Sequence, residues 1–262
     1  MSGLPKHGRV GCQVCFSGCS TQFDVTKQEK EGWRITSNPL SWGSVEPEVV
    51  VLGFSKGPTQ AGALANRPHD EIAYKGSRLN VGKILAHVGL IPQVSDDQLK
   101  KTVDQLIADD AGKFHFGSLI RCTVERFDQK TEKWKGSGGG MLDQFVATDF
   151  GKTVAANCAT AFLANLPAST RIVVMFGLGT KQNYVREAFK LFERVRPGSW
   201  HWINDVAYGD STITVVHVEH FASQGALIPN WLGKNVHDRS KLGLMARSAV
   251  RDALTGTGVG KK

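Results

Sequence analysis

Several features that mark other protein classes are missing from this 262-residue sequence. No uninterrupted apolar run approaches the roughly 20 residues that a membrane-spanning helix needs. The N-terminal residues MSGLPKHGRVGC contain no apolar segment of the kind found in secretory signal peptides. Internal repeats are also absent. We therefore expect a soluble, cytoplasmic protein with no membrane partner.

The cysteines do not have the pattern of a disulfide-bonded protein. The cysteines are odd in number, three of them fall within eight residues, and no secretory signal precedes them. Cys12-x2-Cys15 together with the distant Cys122 and Cys158 instead predicts a site of four thiolates, with zinc and an iron–sulfur cluster both open. Cys19 is left over and is an alternative ligand to Cys12 or Cys15. Free buried cysteines are the simpler interpretation.

Acidic residues are in short supply relative to basic ones. Lys and Arg number 32 against 24 Asp and Glu, which gives a formal net charge of +8. Such an excess suits a polyanionic partner such as nucleic acid. A basic enzyme with an unrelated substrate has the same composition, so charge alone leaves both classes open.

The stretch VVVLGFSKGP, residues 49–58, organises the rest of the chain. Four apolar residues followed by Gly53 and, later, Gly57-Pro58 predict a strand that is buried on both faces and ends in a tight loop. Ligands of open α/β sheets bind at the carboxyl ends of strands, so the loop is a candidate binding site. A plain connection to a helix is the alternative.

Alternating strand and helix patterns predict a single α/β domain over residues 1–262. We expect a three-layer α/β/α fold with a central, mainly parallel, four-stranded sheet. Residues 1–48 form an N-terminal cysteine-bearing segment with at most one short strand, 57–75 and 126–140 are loops, and 255–262 are a disordered tail. The first predicted strand begins at residue 49, and the other three cover residues 114–122, 171–176 and 213–219. The predicted helices cover residues 77–88, 95–108, 150–166, 183–195 and 239–254.

Six short motifs occur in the order found in one known family. Taken together, they resemble the uracil-DNA glycosylase superfamily, in particular its iron–sulfur branch, over roughly residues 10 to 235. Each motif is degenerate, so the resemblance depends on their number and order. They are Cys12-x2-Cys15, Gly53-Phe-Ser-Lys-Gly57, Ser118-Leu-Ile-Arg-Cys122, Cys158-Ala-Thr-Ala-Phe-Leu163, Ile172-Val-Val-Met-Phe-Gly177 and His220-Phe-Ala-Ser223.

This resemblance implies a cofactor, a reaction and a partner. The cofactor is a [4Fe-4S] cluster held by Cys12, Cys15, Cys122 and Cys158, with zinc as the alternative. The reaction is hydrolysis of the N-glycosidic bond of uracil in single- or double-stranded DNA, after the base has been flipped out of the stack. We expect the protein to act as a monomer. The alternative is a nucleic-acid-binding member that has lost this chemistry.

The same resemblance assigns roles to individual residues. His220 donates a hydrogen bond to uracil O2, where negative charge develops as the base leaves. Ser55 is the second catalytic candidate, for positioning water, with Glu219 as a further possibility for that role. The substrate-binding candidates are Gly53, Phe54, Tyr74, Ser118 and Ser223, with Tyr74 stacking on the base.

Some positions depart from the family pattern. Phe54 stands where many members carry a polar residue that positions water, Ser118 replaces an asparagine that reads the uracil edge, and Phe221 replaces a proline. These departures predict an altered pocket. Residues of the last loop are candidates for a wedge in the minor groove, and several basic residues are candidates for phosphate contacts. The wedge candidates are Phe221, Leu227 and Ile228; the phosphate candidates are Lys56, Lys75, Arg121, Lys234 and Arg239.

Overall fold

A computed structural model describes residues 3–16, 20–136 and 141–256. These ranges contain twelve β-strands and nine α-helices. The strands are β1 (Gly8–Arg9), β2 (Lys27–Lys30), β3 (Trp33–Thr36), β4 (Leu40–Gly43), β5 (Val49–Gly53), β6 (Phe114–Ser118), β7 (Thr123–Asp128), β8 (Lys133–Gly136), β9 (Ile172–Phe176), β10 (His201–Asn204), β11 (Ala207–Gly209) and β12 (Thr214–Val218). The helices are α1 (Pro58–Ala61), α2 (His69–Ile72), α3 (Arg78–His87), α4 (Asp96–Ala108), α5 (Leu142–Phe145), α6 (Asp149–Phe162), α7 (Asn183–Val195), α8 (Leu227–Trp231) and α9 (Arg239–Thr255).

The larger sheet has eight strands in the order β1-β4-β6-β5-β9-β12-β11-β10. Its four middle strands, β6, β5, β9 and β12, run parallel to one another. β5 lies between β6 and β9, and all five of its residues are buried. A strand buried on both faces needs a continuous apolar run, which Val49–Leu52 supplies. The middle of the sheet therefore forms the core and aligns several carboxyl ends at one edge.

The predicted four-stranded, mainly parallel sheet is wrong. The four strands expected from the sequence form only the parallel middle of a mixed sheet, which antiparallel strands extend at both edges. A separate four-stranded antiparallel sheet, β2-β3-β7-β8, accompanies it. The missed strands are short, and β2 and β10 have largely exposed residues. Such strands are held by pairing with distant partners, so they have no local apolar run to reveal them.

The smaller sheet also corrects two local predictions. Residues 21–48 contain three strands instead of one, and 126–140 is not simply an inserted loop because most of β7 and β8 lie in it. β7 pairs with β3, and Trp33, Ile35 and Val124 of these strands are buried. Residues 137–140 lie outside the described residues, as do Cys19 and residues 257–262 of the predicted tail.

The helices match the sequence pattern more closely. α3, α4, α6, α7 and α9 fall within the predicted ranges or extend one residue beyond them. A capping box begins α4, where Gln98 Oε1 accepts from the Ser95 amide at 3.2 Å. Residues 57–75, predicted as a loop, include the short helices α1 and α2. No described helix combines the length and the apolar character needed to cross a bilayer.

The pairing of β4 with β6 predicts that position 43 does not tolerate any residue with a side chain. Gly43 has a φ of +78°, and a Cβ there would lie 2.3 Å from the carbonyl oxygen of Phe114. Gly43→Ala should therefore lower the free energy of unfolding by about 2 kcal/mol or more, measured by urea denaturation. Gly198→Ala is the matched control, because no atom lies within 4 Å of its added Cβ. Equal stability of the two variants would contradict this account of β4.

Candidate functional site

A two-chambered cavity, here called the strand-end cavity, opens at the carboxyl ends of β5 and β6 and at the segment after β12. The inner chamber has a volume of about 20 Å³ and includes Gly53, Ser118 and His220 in its wall. The outer chamber has about 220 Å³ and is bounded by Gly57, Pro58 and Lys75, among others. Ser55, Gln60, Tyr74, His220 and Phe221 line both chambers, so the two adjoin.

Six of the seven catalytic and substrate-binding candidates meet in this cavity. Parallel pairing explains the convergence, because Gly53 is directly opposite Ser118 in the β5–β6 register. The Gly53 and Phe54 carbonyls also accept from the amides of residues 119 and 120, which ties the two strand ends together. The six are Gly53, Phe54, Ser55, Tyr74, Ser118 and His220.

The protonation of His220 follows from its contacts. Its Nδ1 accepts a hydrogen bond from the Ala222 amide at 3.2 Å, so in the neutral ring the proton is on Nε2. Burial lowers the pKa of His220, and the neighbouring Glu219 carboxylate opposes this only in part. At neutral pH the side chain is therefore an uncharged imidazole in the cavity wall whose Nε2–H is a donor.

Glu219 holds the segment that carries His220. One oxygen of this buried carboxylate accepts from the His220 amide at 3.0 Å and from the Ser223 hydroxyl at 2.8 Å. The other oxygen is paired with Arg239. Ser223 therefore serves the Glu219 carboxylate and does not line the cavity, contrary to prediction. Glu219 thus accepts three hydrogen bonds from its neighbours, and its pair with Arg239 uses only Nε of the guanidinium.

Tyr74 differs from its predicted stacking role. Its ring makes edge-to-face contacts with Phe116, Phe176 and Phe221 at centroid distances of 6.0, 5.6 and 5.0 Å. Its φ of +51° is uncommon for an aromatic residue and costs about 1 kcal/mol or more. The hydroxyl is buried and has no hydrogen-bond partner among the described residues. Tyr74 is therefore buried among aromatic side chains, with a hydroxyl that is shielded from solvent.

The two phenylalanines at the cavity behave differently. Phe54 is buried, and its ring packs against Phe145 and Tyr184 at 6.2 and 6.4 Å, so it belongs to the core. Phe221 is only partly buried and stacks on the His220 ring at 4.4 Å. Of the other wedge candidates, Leu227 is exposed, whereas Ile228 is buried in α8 and is excluded from that role.

Sequence reasoning missed several residues of the wall, among them Trp42 and Gln60. Trp42 reaches the cavity because β4 pairs with β6, which places Trp42 opposite Phe116. Its indole N–H donates to the His69 carbonyl at 2.9 Å. No local pattern signals this long-range pairing. Gln60 lies in α1, within a segment whose length and Gly and Pro content did indicate a functional loop.

The four candidate metal ligands, Cys12, Cys15, Cys122 and Cys158, come from three separate segments and here form the cysteine group. Cys15 and Cys158 are hydrogen-bonded, which lowers the pKa of Cys15 to about 7 despite its burial. The Asn157 amide also donates to Cys15 Sγ at 3.5 Å. Burial raises the pKa of Cys122 to about 11, and charge on Cys15 or Cys12 raises it further. The hydrogen bond between Cys15 and Cys158 joins two of the three segments.

The spacing of the cysteine group bears on the kind of metal. Among the described residues, no three of these sulfurs lie within 4.8 Å of one another. A single zinc ion with Zn–S bonds of about 2.3 Å would hold its sulfurs about 3.8 Å apart. The cysteines of the described residues therefore do not form a preformed site for a single zinc ion.

Two buried cations adjoin the cysteine group. Lys56 and Arg121, predicted as phosphate contacts, are 2% and 1% exposed, so that prediction is wrong. No carboxylate oxygen of the described residues lies within 4.0 Å of either charged group. Burial lowers the pKa of Lys56 to about 8, and charge on Cys122 opposes this more than the distant Asp24 does. Burial raises the pKa of the Cys122 thiol as well, so this sulfur carries compensating negative charge only when it is deprotonated.

Arg121 is fixed by neutral partners. It donates to the Leu40 carbonyl at 3.2 Å and to His115 Nε2 at 3.1 Å, and it lies over the Phe162 ring at 4.9 Å. Burial is the main reason that the pKa of His115 falls to about 3, so its ring is neutral and accepts. The Gly117 backbone permits this packing, because a Cβ there would lie 2.5 Å from the guanidinium.

A second set of metal-ligand side chains lies elsewhere. His7, His69 and Asp70 bring ligand atoms within 4.8 Å of one another. However, His7 Nδ1 accepts from the Gly43 amide at 3.2 Å, which puts the proton on the Nε2 that faces Asp70 at 2.8 Å. A metal would have to displace that proton, so the set is better described as a polar cluster behind Trp42.

The Glu219 contacts predict a stability effect. Glu219→Gln keeps an acceptor for His220 and Ser223 but leaves Arg239 without its charged partner. We expect the free energy of unfolding to fall by about 2–3 kcal/mol in urea denaturation. Lys241→Gln is the control, since its pair with Asp238 is exposed and contributes little. A Glu219→Gln protein as stable as the control would refute this function of the carboxylate.

Comparisons with known proteins add no relative to this description. The sequence matches no protein-family model, and it matches no curated protein. The function is therefore inferred from the side chains of the strand-end cavity and of the cysteine group.

Proposed function

We propose that the protein is a DNA repair glycosylase that hydrolyses the N-glycosidic bond of uracil, or of a related deaminated base, in DNA. The observation that carries this proposal is the neutral His220 in the wall of the strand-end cavity. Its Nδ1 is occupied by a backbone amide, and no described group bonds to its Nε2. The ring therefore presents one N–H donor to a ligand.

The chemistry needs such a donor. When the glycosidic bond breaks, the bonding electron pair leaves with the base, and negative charge develops on uracil O2. A preorganised donor stabilises that charge most when it is shielded from water. A neutral imidazole performs this task by hydrogen bonding, without transferring its proton. The sugar left behind is attacked by water, which completes the hydrolysis.

The dimensions of the cavity suggest how a base is accommodated. The outer chamber of about 220 Å³ has room for a flipped base, whereas the inner chamber of about 20 Å³ holds about one water. Phe221 stacks on His220 and is partly exposed, so its movement would let a base approach Nε2. Ser118 and the Tyr74 hydroxyl are polar groups available for reading the base edge.

The proposal includes a [4Fe-4S] cluster bound by Cys12, Cys15, Cys122 and Cys158, with zinc as the alternative. Two observations support it: Cys15 and Cys158 are hydrogen-bonded although they are far apart in the sequence, and the two buried cations have no carboxylate partner among the described residues. When bound, the cluster would supply cross-links between three chain segments and no step of the hydrolysis.

A second candidate is a DNA-binding protein of similar structure without glycosylase chemistry. The observations that favour it are the small inner chamber and the lack of an acidic water-positioning group. Phe54 packs into the core, and Glu219 is held by three hydrogen-bonding partners. Such a protein would bind DNA in a salt-dependent manner and release no base.

Excision of uracil tests the proposal directly. Single- and double-stranded oligonucleotides with one uracil are incubated with the protein and then cleaved with alkali at the abasic site. We expect strand cleavage by the wild type and a more than tenfold lower rate for His220→Ala, because the O2 donor is lost. His201→Ala is the control, since this histidine is exposed on β10.

Each alternative result has a distinct meaning. DNA binding by the wild type without base release on either substrate would overturn glycosylase function and favour the second candidate. Excision that is unchanged in His220→Ala would leave the reaction standing but remove His220 from it.

The lowered pKa of His220 predicts the pH dependence of excision. The active form is the neutral ring, and a lowered pKa means that half-protonation is reached only at a pH below the ordinary value of about 6.5. The single-turnover rate should therefore keep more than half of its plateau value at pH 6.5 and reach half only at lower pH. A rate that is already half-lost at pH 6.5 or above, traced to His220 by comparison with His220→Ala, would be inconsistent with this.

A further inference from the structure

Asn80 lies on the first turn of α3 and reaches the segment that carries His220. Its side-chain Nδ2 is 2.9 Å from the Phe221 carbonyl oxygen. A carbonyl oxygen can only accept, so the Asn80 amide presents its NH2 group and donates. The helix is a firm support for this contact, because α3 packs closely on α4: a Cβ added at Gly82 would lie 3.0 Å from Leu99 Cβ. Asn80 is therefore a fixed donor that meets the Phe221 carbonyl from outside the segment.

Residues 220–223 form a β-turn around this carbonyl. The Ser223 amide donates to the His220 carbonyl at 2.9 Å, which closes the turn. Phe221 and Ala222 are its two central residues, and neither has a positive φ. A type I turn has negative φ at both central positions, whereas a type II turn has a positive φ at the second. The peptide unit between Phe221 and Ala222 is thus the middle peptide of a turn that is not of type II.

This middle peptide has a partner on each side. Its carbonyl oxygen accepts from Asn80, and its N–H, which belongs to Ala222, donates to His220 Nδ1 at 3.2 Å. A trans peptide unit is planar, and its C=O and N–H point in opposite directions. A carbonyl that is fixed toward Asn80 therefore fixes the N–H toward the imidazole.

The direction of the middle peptide determines which ring nitrogen of neutral His220 carries the proton. With the N–H toward Nδ1, this nitrogen accepts and the proton is on Nε2. Rotation of the middle peptide by half a turn would convert the turn to type II and place the carbonyl at Nδ1. The proton would then lie on Nδ1, and Nε2 would be an acceptor. The two directions of one peptide thus correspond to two tautomers of the ring.

We propose that Asn80 is a positioning residue that sets the tautomer of His220 through the Phe221–Ala222 peptide. By donating to the carbonyl, it holds the N–H at Nδ1 and leaves the Nε2–H as the donor that faces a ligand. Asn80 acts on the ring only through this peptide. The consequence for uracil excision rests on the proposed function, whereas the choice of tautomer does not.

Nitrogen NMR of the imidazole rings tests this coupling, because the chemical shift of a ring nitrogen shows whether it carries a proton. Wild type, Asn80→Asp, Asn80→Leu and Asn66→Asp are prepared with isotope-labelled histidine and measured at mildly alkaline pH, where neutral rings predominate. The signals of His220 are those missing from His220→Gln. Asn66→Asp is the control, since it makes the same chemical change at an exposed asparagine.

The variants differ in what they offer to the Phe221 carbonyl. Asn80→Asp replaces the donor by a carboxylate, which repels the carbonyl and attracts the N–H of the rotated peptide, so the Nδ1–H tautomer should become the major form. Asn80→Leu offers neither a donor nor an acceptor, and the Nδ1–H fraction should rise by a smaller amount. Adding Ala222→Gly to Asn80→Leu should raise it further, because glycine readily adopts the positive φ of a type II turn. Wild type and Asn66→Asp should keep the proton on Nε2.

A parallel excision measurement connects the tautomer with the proposed function. With saturating protein, the single-turnover rate on uracil-containing DNA should fall in proportion to the Nε2–H fraction, and therefore at least twofold in Asn80→Asp. A merely structural role of Asn80 would lower stability or DNA binding without moving the proton from one ring nitrogen to the other.

Three results would overturn the proposal. They are a wild-type ring with its proton on Nδ1, folded Asn80→Asp and Asn80→Leu proteins with the wild-type tautomer, and equal Nδ1–H fractions in Asn80→Leu with and without Ala222→Gly. If Asn80→Asp does not fold, Asn80→Leu decides. Absence of excision by the wild type would overturn the glycosylase function alone, since the tautomer is measured without substrate.

Discussion

Two positive charges buried without carboxylate partners impose the main constraint on this structure. Lys56 and Arg121 lie between the carboxyl edge of the parallel strands and the cysteine group. The two side chains donate hydrogen bonds to backbone carbonyls and to a neutral histidine. These partners satisfy the donors, but because they are uncharged they do not compensate the positive charge. Buried charge needs an anion. Thiolates on the proposed metal centre would provide one, which would connect the cysteines with the strand ends and the cavity.

The parallel core was predictable because its signal is local. Val49–Leu52 and Ile172–Phe176 are continuous apolar runs that end in glycine, and both are central strands. β2, with four exposed residues, and β8, with alternating Lys and Trp, have no such signal. They become strands because β3 and β7 pair with them. Sheet size and edge topology depend on pairing between distant segments, and this is why the predicted four-stranded sheet was wrong.

The candidate site also has a part that could be predicted from the sequence and a part that could not. Gly53, Ser55, Ser118 and His220 were predictable, because parallel strands bring their carboxyl ends to one edge. The directions of side chains were not. Lys56 turns to the core instead of to DNA, Ser223 bonds to Glu219, and the ring faces of Tyr74 are enclosed by other aromatic residues. Each depends on neighbours that are far away in the sequence.

The most direct test of the central claim is the metal and sulfide content of the wild-type protein purified without oxygen. If thiolates on a metal centre balance Lys56 and Arg121, the protein should be brown and contain about four irons and four acid-labile sulfides per chain. One zinc per chain would still supply negative charge near Lys56 and Arg121, but the metal centre would then be a zinc site and not a cluster. A folded protein with neither metal, and with its cysteines free to react with a thiol reagent, would contradict the account.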